Sequence, residues 1–517
     1  MDHQSLDQSN VIAALRNPAT YGPNCGIVEV IETHAGLIFL AGDLAFKIKK
    51  AVRFPYLDFS TVETRKAACE KELELNKPHA QQIYLDVVSI TEEASGEIVL
   101  AGEGVPVEWA VRMRRFPDNA LLSHAVDAGR VDAAFFDRLA DEIAEYHNAA
   151  PVVSVVSGAG KIESIVDELV KAFRHAPDLL AVKAIEQFAN RASCQLQSCA
   201  DILNDRAARG LVRRCHGDLH LANIITLDDK PILFDAIEFN DDIATTDVLY
   251  DVAFLLMDLC HCHKPNFANR VLNRYLSRSR EDTDLSGLKT LPLFMACRAG
   301  IRAMVAIARL QQTGGHKAED AAEVLSYFGQ ANSYLDATRP RIVAVGGYSG
   351  TGKTSVARRL AIDIVRCPGA VHLRTDVERK QLFKVEETVV LSPESYTREA
   401  SGRVYEVVFK KAAIALKASQ SVVVDAVFLN PVERAEIERI AKDAGLPFIG
   451  IWLEADEETL IERVTSRHGD ASDATADVVR LQVRNGPGKI DWHRVHAGGG
   501  LDETVDLALK AAKPCCS

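Results

Sequence analysis

The chain has 517 residues, 47% hydrophobic and 26% charged, a balance that excludes fibrous and disordered classes. Its formal net charge of -12 argues against broad binding to nucleic acid or anionic membranes, while leaving room for a local basic cleft that holds phosphates. The opening MDHQSLDQSNVIAAL lacks the basic flank and apolar core of a secretory signal, and no uninterrupted apolar run reaches membrane-spanning length.

In chain order, IVEVIE, GLIFLAG and LAFKIKK read as strands, because β-branched and aromatic residues recur between turn residues. The third puts Lys47 and Lys49 on one face. A charged helix follows, VETRKAACEKELELNK, capped by Ser60 or Thr61 and carrying Glu70 and Glu72. YLDVVSITEE, EIVLAG and EWAVRMRRF return to strand, and helices such as FFDRLADEIAEYHNAA dominate from about 130 to 210. RCHGDLHLANII then sits between short strands, PILFDAIEFN is an apolar strand ending in Asp235, and helix resumes over 245–335. Arg339-Pro340 stops that helix, and IVAVGG, VHLRTD, SVVVDAVF and FIGIWLEA alternate with helical stretches, the signature of a parallel sheet covered by helices. A domain boundary is expected near Thr338, dividing the chain into 1–338 and 339–517.

Eleven scattered cysteines without a CxxC framework fit reduced thiols, so a cytoplasmic location is expected. The CHCH run, Cys260 to His263, ends an apolar helix and reads as structural rather than as a metal tract. Cys515 and Cys516 read as a frayed tail.

RCHGDLHLANII raises a chemical question, because Asp218 and Asn223 precede a buried Ile-Ile pair and polar atoms in such company need partners. Phosphoryl transfer uses this pattern: an Asp orients the attacking hydroxyl, and an Asn a few residues on binds magnesium. Asp235, a carboxylate at the next strand end, has the position of a second metal ligand. A strand Lys held by a helix Glu aims an ammonium at nucleotide phosphates; Lys47 or Lys49 with Glu70 or Glu72 are the candidates.

On these residues the region from about 28 to 335 resembles the aminoglycoside phosphotransferase family, a branch of the protein-kinase fold whose catalytic loop reads HGDxxxxN. His216, Gly217, Asp218 and Asn223 match that loop. The resemblance implies a bilobal α+β domain with Asp218 catalytic, Asn223 and Asp235 on magnesium, Lys47 paired with Glu72, and Asp251 bracing the loop. EWAVRMRRF would be the lobe connector near the adenine, and His216 a loop brace. One part departs from the kinase pattern: no GxGxxG precedes Lys47, and the corresponding turn is ETHAGLIFLAGD.

GYSGTGKT fits GxxxxGK[ST] directly after a strand and before a helix, which is the context phosphate binding requires. Gly347, Ser349, Gly350, Thr351 and Gly352 bring backbone amides to the phosphates, Lys353 reaches the outer phosphates, and Thr354 binds magnesium. Asp425, ending a buried strand, has the place of a Walker B Asp. With LRTDVERK the region resembles the small P-loop kinases of the gluconate kinase and polynucleotide kinase type. That likeness implies Asp376 on the acceptor hydroxyl and Arg379 on the substrate. Arg463 and Arg467, four apart on one helix face, look like lid arginines.

The expected protein is therefore a two-domain α/β chain: a kinase-like bilobal domain followed by a P-loop domain with a parallel sheet. Its expected activity is ATP- and Mg2+-dependent transfer of phosphate to a hydroxyl of a sugar, aminosugar or aminoglycoside-like molecule. No membrane partner is expected, the acidity argues against nucleic acid, and oligomeric state is not legible. Two alternatives stay open: a polynucleotide 5'-hydroxyl kinase in the C-terminal domain, and a nucleotide-gated binding protein with a non-catalytic N-terminal lobe.

Overall fold

A computed structural model describes residues 7–23, 25–33, 35–54, 57–278, 282–312, 318–466 and 471–512. By compactness the chain forms two units. The first comprises 1–156 with 207–255, the second 157–206 with 256–517. Thr338 lies inside the second unit, because helices from the middle of the chain pack with the C-terminal sheet.

In the first unit a six-stranded antiparallel sheet runs in the order Glu29–Glu32, Gly36–Ala41, Leu44–Lys49, Val105–Arg114, Tyr84–Glu92 and Ile98–Leu100. The turn between the first two strands is only a few residues long, with the Thr33 hydroxyl bonded to the Gly36 amide at 3.0 Å. The helix Val62–Asn76 starts at a reciprocal cap between Thr61 and Thr64, so Thr61 rather than Ser60 is the cap. EWAVRMRRF is mostly sheet: Glu108 to Arg114 pair with the strands on either side, and the chain leaves the sheet only at Arg115. Two small antiparallel ladders, Val212–Arg214 with Thr245–Asp247 and the hairpin Ile224–Leu227 with Lys230–Leu233, frame residues 215–223.

The second unit holds a five-stranded parallel sheet in the order Val371–Arg374, Val422–Asp425, Ile342–Gly347, Phe448–Glu454 and His493–His496. Its central strand is buried at every position, as an apolar run covered on both faces should be. The chain reverses its winding at this strand, where sheets of this class bind ligands beyond the strand C-termini. The edge strand Val371–Arg374 is not left open: Asn273, on the helix Pro265–Arg278, accepts from the His372 amide at 2.7 Å and donates to the Ala370 carbonyl at 3.2 Å.

One expectation is corrected here. Cys260 and Cys367 form a disulfide with Cα atoms 6.0 Å apart, so the described cysteines are not all reduced thiols. A separation of 107 residues leaves no spacing for a sequence to reveal. The neighbouring His261 stacks on Tyr327 with ring centroids 3.9 Å apart, which is a packing role. Cys515 and Cys516 lie outside the described residues. One stretch, Thr283–Gln311, is long and apolar enough to cross a membrane, and 67% of its most apolar window is buried inside the structure.

Candidate active sites

The first site is built on the strand Leu44–Lys49. Alternation directs Lys47 and Lys49 inward together, and both reach the same carboxylate, Glu72, which is fully buried. Lys47 Nζ lies 2.9 Å from Glu72 Oε1 and 2.5 Å from Asp235 Oδ1. Lys49 bonds Glu72 Oε2 at 2.5 Å and also pairs with Glu238. Glu70, by contrast, faces out and meets Lys66 at 3.6 Å. Asn76 holds the corner, its Nδ2 donating to the Glu72 carbonyl at 2.9 Å and its Oδ1 accepting from the Ala236 amide at 2.8 Å.

Burial opposes the charge on Glu72, but the ammonium groups of Lys47 and Lys49 outweigh it and hold the carboxyl down at about 2. Glu238 goes the other way: burial pushes its carboxyl up despite Lys49, and the nearby Glu72 charge adds to the rise. Asp235 sits at φ +61, a strained conformation for a residue with a side chain, and its side chain is 38% exposed.

Residues 215–223 are held from behind. Asp251, fully buried, accepts from the Gly217 amide at 2.9 Å and the His216 amide at 3.2 Å, and meets His147 Nε2 at 3.1 Å. Asp251 thus braces the loop as expected. Gly217 has φ +84, and a Cβ there would press Ile237 at 3.1 Å, so the turn needs glycine. His216 Nε2 bonds the Phe234 carbonyl at 2.9 Å, tying the loop to the segment that presents Asp235. Burial pushes this imidazole below the ordinary histidine value, against the pull of Asp251 and Asp218, so it is a weaker proton acceptor than a free histidine and its bond to the Phe234 carbonyl suits a brace. Asn223 Nδ2 donates to Asp218 Oδ2 and to the Asp218 carbonyl, both at 2.9 Å. His220 caps the following turn, its Nδ1 accepting from the Ala222 amide at 3.2 Å.

Asp218, Asn223, Asp235, Lys47 and Glu72 therefore share one side of the unit. Three carboxylates face two ammonium groups around Lys47 and Lys49. The carboxylate and carboxamide oxygens of Asp235 and Asn223 are the hard donors that magnesium takes. Glu238 was missed in the sequence; its only signal is its place three residues after Asp235 in DAIEF.

In the second site, the strand Ile342–Gly347 runs into the loop and the helix Lys353–Asp363. Gly350 packs against the neighbouring helix, where a Cβ would lie 2.6 Å from the Leu460 carbonyl at φ +91. Gly350→Ala should therefore displace the loop at a cost of about 1–3 kcal/mol in backbone strain alone, read as a lower denaturation midpoint together with weaker ATP binding. Thr354 Oγ1 donates to Asp425 Oδ2 at 2.6 Å, and Lys353 Nζ to the Tyr348 carbonyl at 2.9 Å. A hydroxyl and a carboxylate in contact again suit magnesium.

Asp376 opens the helix Thr375–Leu382. Burial and then the Asp425 charge push its carboxyl up, against Arg374 and Lys353. Arg379 is buried and committed: it donates to the Ser395 carbonyl at 2.6 Å and stacks 4.8 Å above the Tyr396 ring. The Arg463 guanidinium bonds the Ala497 and Gly499 carbonyls at 2.8 and 3.2 Å. Arg467 lies outside the described residues. Two groups escaped sequence reasoning. Gln482 bonds Ser349, and Asp473 pairs with Lys380 at 2.7 Å.

Residues 89–288 match the phosphotransferase enzyme family, and residues 342–486 match a family described as an AAA domain. Uncharacterized proteins of Mycobacterium tuberculosis and Mycobacterium bovis are 29% identical over 503 residues, 95% of this chain and 96% of theirs. Among solved structures, a gluconokinase from Sinorhizobium meliloti shares 21% identity over 34% of this chain and 93% of its own, with a TM-score of 0.26. The GDP complex of aminoglycoside 2'-phosphotransferase-IIIa shares 18% identity over 63% of this chain and 99% of its own, with a TM-score of 0.40. By its family matches the chain joins a region similar to the phosphotransferase enzyme family to a region similar to an AAA domain.

Proposed function

We propose that the protein transfers the γ-phosphate of ATP to a hydroxyl of a small polar molecule, a sugar, aminosugar or aminoglycoside-like compound. Residues 1–338 and 339–517 then act as two catalytic domains, each with its own nucleotide site. The observation that carries the reading is Lys47, held between Glu72 and Asp235 although 188 residues separate Lys47 from Asp235. A structural ion pair needs one partner; here the second is the strand-end carboxylate that phosphoryl transfer assigns to metal.

In the N-terminal site Lys47 aims at the nucleotide phosphates and Glu72 fixes its direction. Asp218 accepts the acceptor's hydroxyl proton, and Asn223 holds that carboxylate in place. Asn223 and Asp235 would hold magnesium, which when bound neutralises phosphate charge. In the C-terminal site the loop Gly347–Thr354 holds the phosphates, Thr354 and Asp425 would hold magnesium, and Asp376 faces the acceptor. A raised carboxyl at Asp376 is a better proton acceptor than an ordinary aspartate. The net charge of -12 favours a cationic or neutral acceptor over a polynucleotide.

The test is transfer of labelled γ-phosphate from ATP with magnesium to a panel of sugars, aminosugars, aminoglycosides and 5'-hydroxyl oligonucleotides. Label on a small-molecule hydroxyl is the expected result, and loss of that label with Lys353→Ala would assign it to the C-terminal domain. Label on oligonucleotides alone would replace this reading with the polynucleotide one. Free phosphate alone, abolished by Lys353→Ala, would make the protein a nucleotide-gated binder.

A further inference from the structure

One backbone donor of the P-loop is engaged by a side chain from 133 residues away. Gln482 Oε1 accepts from the Ser349 amide at 2.8 Å, and Gln482 Nε2 reaches Ser349 Oγ at 3.1 Å. The bond is two-point, and Ser349 is only 7% exposed, so water is a weak competitor for it. Gln482 is also well supported. Its helix, Ala476–Asn485, packs through Val479 and Val483 onto Leu460, Val464 and the ring-bearing Tyr348.

The amides of a GxxxxGK[ST] loop are the donors that cradle phosphate. Ser349 stands on the early side of the loop, next to Tyr348, whose carbonyl takes the Lys353 ammonium at 2.9 Å. Lys353 is the group that reaches the outer phosphates. Ser349 and Lys353 thus mark the outer-phosphate end of the cradle, and Gln482 is bound at that end.

We propose that Gln482 is a specificity-determining residue of the P-loop site: its carboxamide oxygen and the outermost phosphate of a nucleoside triphosphate compete for the Ser349 amide. This rests on the P-loop reading above. A diphosphate, seated deeper in the cradle, leaves Gln482 where it is, whereas a triphosphate must displace it. The displacement also reaches the acceptor side. The segment leading into the Gln482 helix carries Ser472, which bonds Asp376. Its next residue, Asp473, accepts from Lys380, from Tyr396 and from the Leu391 amide at 3.0 Å. Loading with a triphosphate thus loosens one end of a strap whose other end contacts the acceptor carboxylate.

The experiment is calorimetric titration of the full chain with a non-hydrolysable ATP analogue and with ADP, each with magnesium, scoring only the binding that Lys353→Ala removes. Gln482→Ala should raise affinity for the triphosphate about fivefold, the weight of one hydrogen bond, and leave ADP unchanged. Gln482→Glu keeps the acceptor oxygen and adds a negative charge, so it should weaken the triphosphate more than ADP. Opposite signs from the two variants cannot come from simple misfolding, which would weaken both ligands in both. Equal shifts for the two nucleotides, or none, would overturn the role of Gln482. If Lys353→Ala removes no binding at all, the P-loop reading itself fails.

Discussion

Asp218→Ala is expected to lower phosphate transfer at the N-terminal site by about 10²–10⁴-fold, the usual weight of a positioned proton acceptor, while ATP binding and the denaturation midpoint stay near wild type. The geometry separates these effects. The Asp218 side chain is 39% exposed and meets His220 Nε2 at 3.4 Å, and it receives the Asn223 amide. The loop itself is held by other atoms: Asp251 takes the His216 and Gly217 amides, and His216 ties to the Phe234 carbonyl. Loss of turnover with retained binding, measured with the acceptor that the panel identifies, would assign Asp218 to the chemical step. Unchanged turnover would leave the N-terminal lobe a ligand holder and move the whole activity to the P-loop.

Much of this was legible because the decisive residues are close in sequence. Asp218 to Asn223, the strand ending in Asp235, and the eight residues Gly347 to Thr354 each form a local pattern whose spacing is set by one turn of chain. The architecture was equally open to reading, since a buried parallel strand and an amphipathic helix have different periods. The choice between Glu70 and Glu72 was not. The two residues point to different sides of one helix, and only packing decides which side meets the Lys47 strand. Lys47 and Lys49 looked like alternatives but are two residues apart on a strand, so the same face delivers both to Glu72. Gln482 and Ser349, like Cys260 and Cys367, are joined only by the fold. The strand His493–His496 escaped because it is a largely exposed edge with one buried residue, Val495. Arg463 was correctly placed on its helix, but a long flexible side chain found backbone carbonyls that no helical wheel displays.

The largest stability effect is expected at Glu72. Replacing it with Ala would leave two buried ammonium groups, Lys47 and Lys49, with less counter-charge and should cost about 3–5 kcal/mol, the usual result of breaking a buried ion pair from one side. Glu238→Gln should be much milder, because Lys49 keeps Glu72 and the lost carboxyl is one that burial already disfavours in its charged form. The two groups also carry opposite pH signatures. The Glu72 carboxyl is depressed to about 2 from an ordinary 4.5. Its contribution, about 3 kcal/mol by linkage, is therefore fully present above pH 4.5 and is lost as pH falls through about 2. Glu238 is raised, so its term favours the folded chain when protonated and fades as pH rises past the ordinary carboxyl range. Urea denaturation of wild type, Glu72→Ala and Glu238→Gln between pH 2 and 7 would read both signs. Wild type should lose stability steeply below pH 4.5, Glu72→Ala should start lower and fall less, and Glu238→Gln should keep the acid slope. If Glu72→Ala matched wild type at pH 7, the lysines would not depend on Glu72 for their charge, and the ion pair proposed to aim Lys47 at phosphate would have no energetic basis.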